Sequence, residues 1–71
     1  MPKVGSITPQ EELRRRRGFG VVEFARLIGY SHVHVSRVEG GHERPSPRYR
    51  QAAAAALGVD EAIVFPDEVR R

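Results

Sequence analysis

The 71-residue chain contains no cysteine. Neither a disulfide nor a thiolate-bound metal can therefore staple it. No apolar run approaches the length of a membrane span, and the N-terminus lacks a signal-peptide pattern. The expected setting is the cytoplasm, with no membrane partner. No apolar/polar alternation bounded by turn pairs occurs, so no strand is expected. Internal repeats and true low-complexity segments are also missing. So are the parts of an enzyme. Ser, His and Asp all occur, but the serines read as helix caps. There is no phosphate loop and no acid pair with a pocket to sit in, and so small a chain could hardly bury one. No cofactor and no small-molecule ligand is expected.

The length allows one domain at most. A domain of this size buries a modest fraction of its surface and is marginally stable alone. A compact helical bundle, a dimer, or both must supply the stability. Lys and Arg number 12 against 9 Asp and Glu, giving a net charge of +3. That balance favours an acidic partner, of which nucleic acid is the commonest, but many small basic proteins bind nothing acidic.

Helix punctuation is plentiful. Thr8 followed by Pro9 places a capping hydroxyl before a proline at the first helical position. Glu11 and Glu12 suit the first turn and Arg14 to Arg17 the last, as the helix dipole prefers. Gly18 then stops a first helix of about Pro9 to Arg17, behind a flexible arm of residues 1–8. Leu13 is the main apolar residue of this helix, which is expected to lean on Ile7 or Phe19. Val21 to Ile28 forms a second helix with an apolar stripe of Phe24, Ala25, Leu27 and Ile28. Gly20 caps it and Gly29 ends it. Ser31 caps a third helix, His32 to Glu39, with Val35 and Val38 on one face and His32, Val33, Ser36 and Arg37 on the other. Gly40 and Gly41 end it, and a polar basic loop, His42 to Pro45, follows. Ser46 and Pro47 open a fourth helix that runs to Leu57, with Gly58 as its stop. Its alanine run, Ala52 to Ala56, lets another helix approach closely. Asp60 caps a fifth helix through about Phe65, closed by Pro66. Residues 67–71 form a charged tail that is expected to fray. The domain proper is residues 9–66.

The informative stretch is Val21 to Glu39. Ala25 is small where two helices must cross, Gly29 supplies a tight turn four residues on, and Val35 is the buried branched residue of the following helix. Small, glycine, branched at this spacing is what a helix-turn-helix needs to hold its second helix out toward a major groove.

From about Leu13 to Phe65 the chain resembles, without a gap, the phage repressor and Cro-type helix-turn-helix family, also called the xenobiotic-response-element family. The matching elements are Leu13-Arg14, Gly18-Phe19, Ala25, Ile28-Gly29, Ser31, Ser36-Arg37-Val38-Glu39-Gly40-Gly41, Pro45-Ser46 and Ala56-Leu57-Gly58-Val59. Two positions depart. Val21 stands where the family often has a phosphate-touching Gln, which weakens the expected clamp at helix 2. Arg50 stands where helix 4 usually offers Leu, so Tyr49 or a dimer partner is expected to fill the volume.

The resemblance implies an all-α, five-helix, lambda-repressor-like DNA-binding domain. It implies a transcriptional regulator, a repressor or Cro-like switch protein, that binds an inverted repeat in double-stranded DNA as a homodimer. Base contacts then fall to Ser31, His32, Val33 and Arg37. His32 can donate to a purine acceptor, Val33 can pack on a thymine methyl, and Arg37 can take a guanine or a phosphate. Phosphate contacts fall to Arg17, Val21, Ser36, Gly41, His42 and Arg44. His34 stands between a phosphate contact and plain exposure, and Arg15 to Arg17 between one phosphate contact and a solvated face. Arg14 and Glu39 match a family ion pair and read as structural. A metal at His32, His34 and His42 is not expected, because residues two apart on a helix diverge and no Cys or carboxylate completes a tetrahedral set. Leu57, Val59, Ile63, Val64 and Phe65 outnumber what one short helix can bury inward, and are expected at a dimer interface. The competing reading is an antitoxin-like or recombination-accessory protein that uses the same fold to hold a protein partner. Its mark would be a long ordered extension, whereas five residues follow Pro66.

Overall fold

A computed structural model describes residues 8–69. The expected arm, apart from Thr8, lies outside the described residues, as do Ile7 and positions 70–71 of the expected tail. Six helices follow one another among the described residues: α1 (Pro9–Arg16), α2 (Val21–Ile28), α3 (His32–Glu39), α4 (Pro47–Leu57), α5 (Glu61–Val64) and α6 (Pro66–Val69). Every regular element among them is helical, as the punctuation predicts.

Caps set the boundaries. Thr8, Ser31 and Ser46 each accept a hydrogen bond from the backbone N–H three residues on, at 3.1–3.2 Å. Gly20 has no side chain to do this, and Glu23 reaches back instead, accepting from the Gly20 N–H at 3.0 Å. Asp60 occupies the cap position of α5, but its side chain bonds no helix amide.

The expected frayed tail is corrected at its start. Pro66, read as a stop, opens the single turn of α6. Proline costs nothing at a first helical position, where its missing N–H would have had no helical partner. Arg44 fixes the turn through two hydrogen bonds to the Glu68 carboxylate, at 2.9 and 3.3 Å.

The core gathers Phe24, Ala25 and Ile28 of α2, Val35 and Val38 of α3, Tyr49, Ala53, Ala54 and Leu57 of α4, Val64 of α5, and Phe65. Helix α4 lies at its centre, packed on α1, α2 and α5. Ala53 and Ala54 are buried there, where their small side chains permit the close approach that the alanine run predicts. Tyr49 is wholly buried, with its ring edge-on to Tyr30 and Phe65. It supplies the bulk missing at Arg50, whose guanidinium turns out to Glu61 and the Pro45 carbonyl, both at 3.3 Å. Leu27 departs from the expected apolar stripe. It is 56% exposed, because its step round the helix carries it to the flank shared with Phe19, Glu23 and Arg26.

Candidate nucleic-acid interface

Gly29 adopts φ +79°, the left-handed region that suits glycine. From that residue the chain reverses, and the N–H groups of Gly29 and Tyr30 both close on the Ala25 carbonyl, at 2.9 and 3.0 Å. This is the helix end that a tight turn between two crossing helices requires. Helices α2 and α3 then pack directly on each other.

Helix α3 divides cleanly. Val35 and Val38 enter the core, and Glu39 turns in toward α1. His32, Val33, Ser36 and Arg37 face outward and are exposed. The Ser31 hydroxyl accepts the His34 N–H at 3.1 Å, and its own proton stays available to an acceptor at the helix start.

His34 does not join the outward face. Its ring stacks on Tyr30 with centroids 5.0 Å apart, lies 5.4 Å from the Tyr49 ring, and brings Nδ1 to 3.7 Å from Glu43. A two-residue step from His32 rotates the side chain toward the core edge, where it packs on the two tyrosine rings.

Behind α3 lies a buried polar network. Arg14 donates from Nε and Nη2 to the two carboxylate oxygens of Glu39, each at 3.0 Å, and from Nη1 to the Phe19 carbonyl at 2.9 Å. Both side chains are under a tenth exposed. The hydrogen bonds to Glu39 raise the Arg14 pKa above its already high ordinary value, against the opposing effect of burial. Gln10, itself buried, donates to Glu39 at 2.7 Å and to the Tyr49 hydroxyl at 3.0 Å. Burial pushes Tyr49 up to about 12. The helix punctuation alone does not bring Gln10 and Tyr49 into this network. The signal for Gln10 was its four-residue spacing from Arg14, which sets both on one helix face.

The expected phosphate contacts fare unevenly. Arg17 turns back to cap α4, with Nε on the Leu57 carbonyl at 2.9 Å. Val21 packs against the core, so it can offer an anion only a backbone N–H at the start of α2. Gly41 and His42 are exposed beyond α3. Gly41 has φ +79°, and the His42 N–H closes on the Arg37 carbonyl at 2.8 Å. Arg44 is exposed but turned to Glu68, whose hydrogen bonds raise its pKa. Glu43, absent from the expected site, reaches Arg37 at 3.4 Å.

The expected dimer surface is corrected at three positions. Leu57, Val64 and Phe65 are 1%, 2% and 8% exposed within the single chain. Helix α4 and the α5 turn pack them inward, so they cannot meet a partner. Val59 is partly buried, and Ile63 remains 56% exposed.

Among the described residues no cluster of three or more His, Cys, Asp or Glu gathers as metal ligands, and no helix is long and apolar enough to cross a membrane. Two helices joined at a left-handed glycine, the second with a polar outer face free of packing duty, define the DNA-binding helix-turn-helix class. A family model described as a helix-turn-helix domain matches residues 11–64, and the chain belongs to that family. Comparison with curated proteins and with solved structures returns no match.

Proposed function

We propose that this protein is a sequence-specific regulator of transcription, a repressor or Cro-like switch protein, that docks α3 in the major groove. The observation that carries this reading is the outward face of α3. His32, Val33, Ser36 and Arg37 are exposed together, and the one carboxylate on the helix is turned inward onto Arg14. A groove lined by phosphates repels carboxylate, and a helix presenting donors and one methyl-bearing side chain can read purine acceptors and thymine methyls. Ser31, His32, Val33 and Arg37 are assigned to bases. Ser36, Gly41, His42 and the α2 N-terminus at Val21 are assigned to phosphate, joined by Arg44 once it leaves Glu68.

One short helix reads only a few base pairs, too little for a unique site in a genome. A symmetric dimer sets two such helices in successive grooves about 34 Å apart and makes the operator an inverted repeat. With Leu57, Val64 and Phe65 in the core, Ile63 and its neighbour Val59 are the apolar residues left from the expected pairing surface. So small a patch pairs weakly without DNA, because it must offset the entropy of association.

Selection of bound sequences from a random duplex pool tests the reading. An inverted repeat should emerge. Affinity for it should fall on the order of a thousandfold or more between about 50 and 200 mM salt, if roughly six to ten phosphates are engaged. A pool that stays random, together with a flat salt response, would overturn it.

A further inference from the structure

We propose that Glu43 is an internal competitor for the DNA surface, holding Arg37 in the free protein and setting the affinity for duplex through that residue. The inference rests on the DNA-binding reading above. The Glu43 carboxylate accepts from Arg37 Nε at 3.4 Å, and its other oxygen lies 3.7 Å from His34 Nδ1. Glu43 and Arg37 are respectively 40% and 56% exposed in their side chains, so water and DNA reach both. Arg37 is the cation on the outward face of α3.

The loop that carries Glu43 is fixed at its root. The His42 N–H is held by the Arg37 carbonyl at 2.8 Å, directly after the left-handed Gly41. That closure brings position 43 back beside the last turn of α3. The carboxylate then sits where an approaching phosphate oxygen would seek the same guanidinium. A carboxylate and a phosphate oxygen are equivalent acceptors for arginine, so the two compete for one donor group.

Two consequences follow. First, Arg37 must leave Glu43 to engage DNA, and an exposed pair of this kind is broken at a modest cost. Every duplex complex that uses Arg37 is weakened by that factor. Second, once Arg37 has left it, Glu43 stays beside the duplex as an unpaired carboxylate, which the phosphates repel. Glu43 therefore keeps a small basic protein from using its recognition-helix cation as a general phosphate clamp. Glu39 and Glu61 do not share the role, being committed to Arg14 and Arg50 away from the outward face of α3; Glu68 holds Arg44 in the loop beyond it, and Glu43 alone among them holds a cation of α3 itself.

A double-mutant cycle on duplex binding tests this. The parent, Glu43→Gln, Arg37→Ala and the double variant are titrated against one random-sequence duplex at several salt concentrations. Random duplex is used because loss of a base contact cannot abolish binding to it. With Arg37 present, Glu43→Gln should tighten binding about two- to fivefold at each salt concentration. With Arg37→Ala in place, the same substitution should leave the affinity nearly unchanged. Equal tightening in the two backgrounds would overturn the proposal, since it would mean a general charge effect. No tightening in either would also overturn it. If the parent binds no duplex at all, the DNA-binding reading falls and this inference with it, an outcome distinct from a cycle that binds but does not couple.

Discussion

Replacing Glu39 by alanine should remove a large share of the stability of this fold without touching the apolar core. The substitution strips Arg14 of both carboxylate oxygens, each at 3.0 Å, and leaves only the Phe19 carbonyl to hold the guanidinium. It also takes from Gln10 the acceptor at 2.7 Å. The Arg14 and Glu39 side chains are 6% and 8% exposed, so a stranded guanidinium cannot simply be rehydrated in place. Removing one partner of a buried pair typically costs about 3–5 kcal/mol. A chain of 71 residues has a total stability on the order of 4–11 kcal/mol, from about 0.05–0.15 kcal/mol per residue. The melting temperature should therefore fall by at least about 12 °C, at about 4 °C or more per kcal/mol for a domain this size. Helical circular dichroism followed against heat and urea reads both quantities. Arg14→Met combined with Glu39→Met should recover part of the loss, because no charge is then left unpaired. A Glu39→Ala protein within about 1 kcal/mol of the parent would refute the reasoning, since that is what a solvated surface pair gives.

Other expectations follow from the same geometry. Tyr49 is pushed up to about 12 by burial, so the fold favours its neutral form. That contribution is intact below the ordinary tyrosine value near pH 10 and is lost as pH rises toward 12, by up to about 2–3 kcal/mol. Urea unfolding at pH 9 and pH 11.5 measures it, and a Tyr49→Phe protein with the same alkaline loss would exclude Tyr49 as its source. Arg37→Ala should narrow the gap between selected and random duplex by about 1–3 kcal/mol, as loss of a bidentate contact does, and His32→Ala, which loses a single hydrogen bond, by less. Equal losses on both duplexes would remove that residue from the base-reading set. Ile63→Asp should reduce binding of a full inverted repeat to that of a half-site while leaving the helical signal unchanged, and unaltered full-site affinity would place the pairing surface elsewhere. Val64→Asp, by contrast, should unfold the chain, because Val64 is 2% exposed and a carboxylate there is buried without a partner; a folded variant seen by circular dichroism would contradict that burial.

Local punctuation made most of this fold legible. Thr8-Pro9, Ser46-Pro47, Ser31 and the stop glycines act within one helical turn, so a reader of the sequence meets cause and effect side by side. The outward set on α3 was equally readable, because Val35 and Val38 fix the inner face and periodicity then assigns His32, Val33, Ser36 and Arg37 to the other. What escaped depended on partners far along the chain. Leu57, Val64 and Phe65 looked surplus to α5 alone, but α4 and α5 lay them against one common core. Arg17 read as a surface cation until the end of α4, forty positions away, offered it the Leu57 carbonyl. Glu43 sat in a loop with no period to orient it. The closure of His42 onto Arg37 brings it to the last turn of α3.

The division of α3 bears on how such a small domain can carry specificity at all. Along the helix, outward pairs (His32-Val33 and Ser36-Arg37) alternate with inward pairs (His34-Val35 and Val38-Glu39). With 3.6 residues per turn, two neighbours followed by two more four positions on fall on one face. The inward pairs carry the helix's share of the folding energy, through the tyrosine stack, the two valines in the core and the ion pair to Arg14. The outward pairs make no core contact, and exposed substitutions away from packing usually shift stability by no more than about 0.5 kcal/mol. On the proposed DNA-binding reading, target preference can therefore change at four positions without eroding a stability that has little to spare. The coupling that remains between the two faces runs through Glu43, whose carboxylate approaches both His34 on the inner side and Arg37 on the outer.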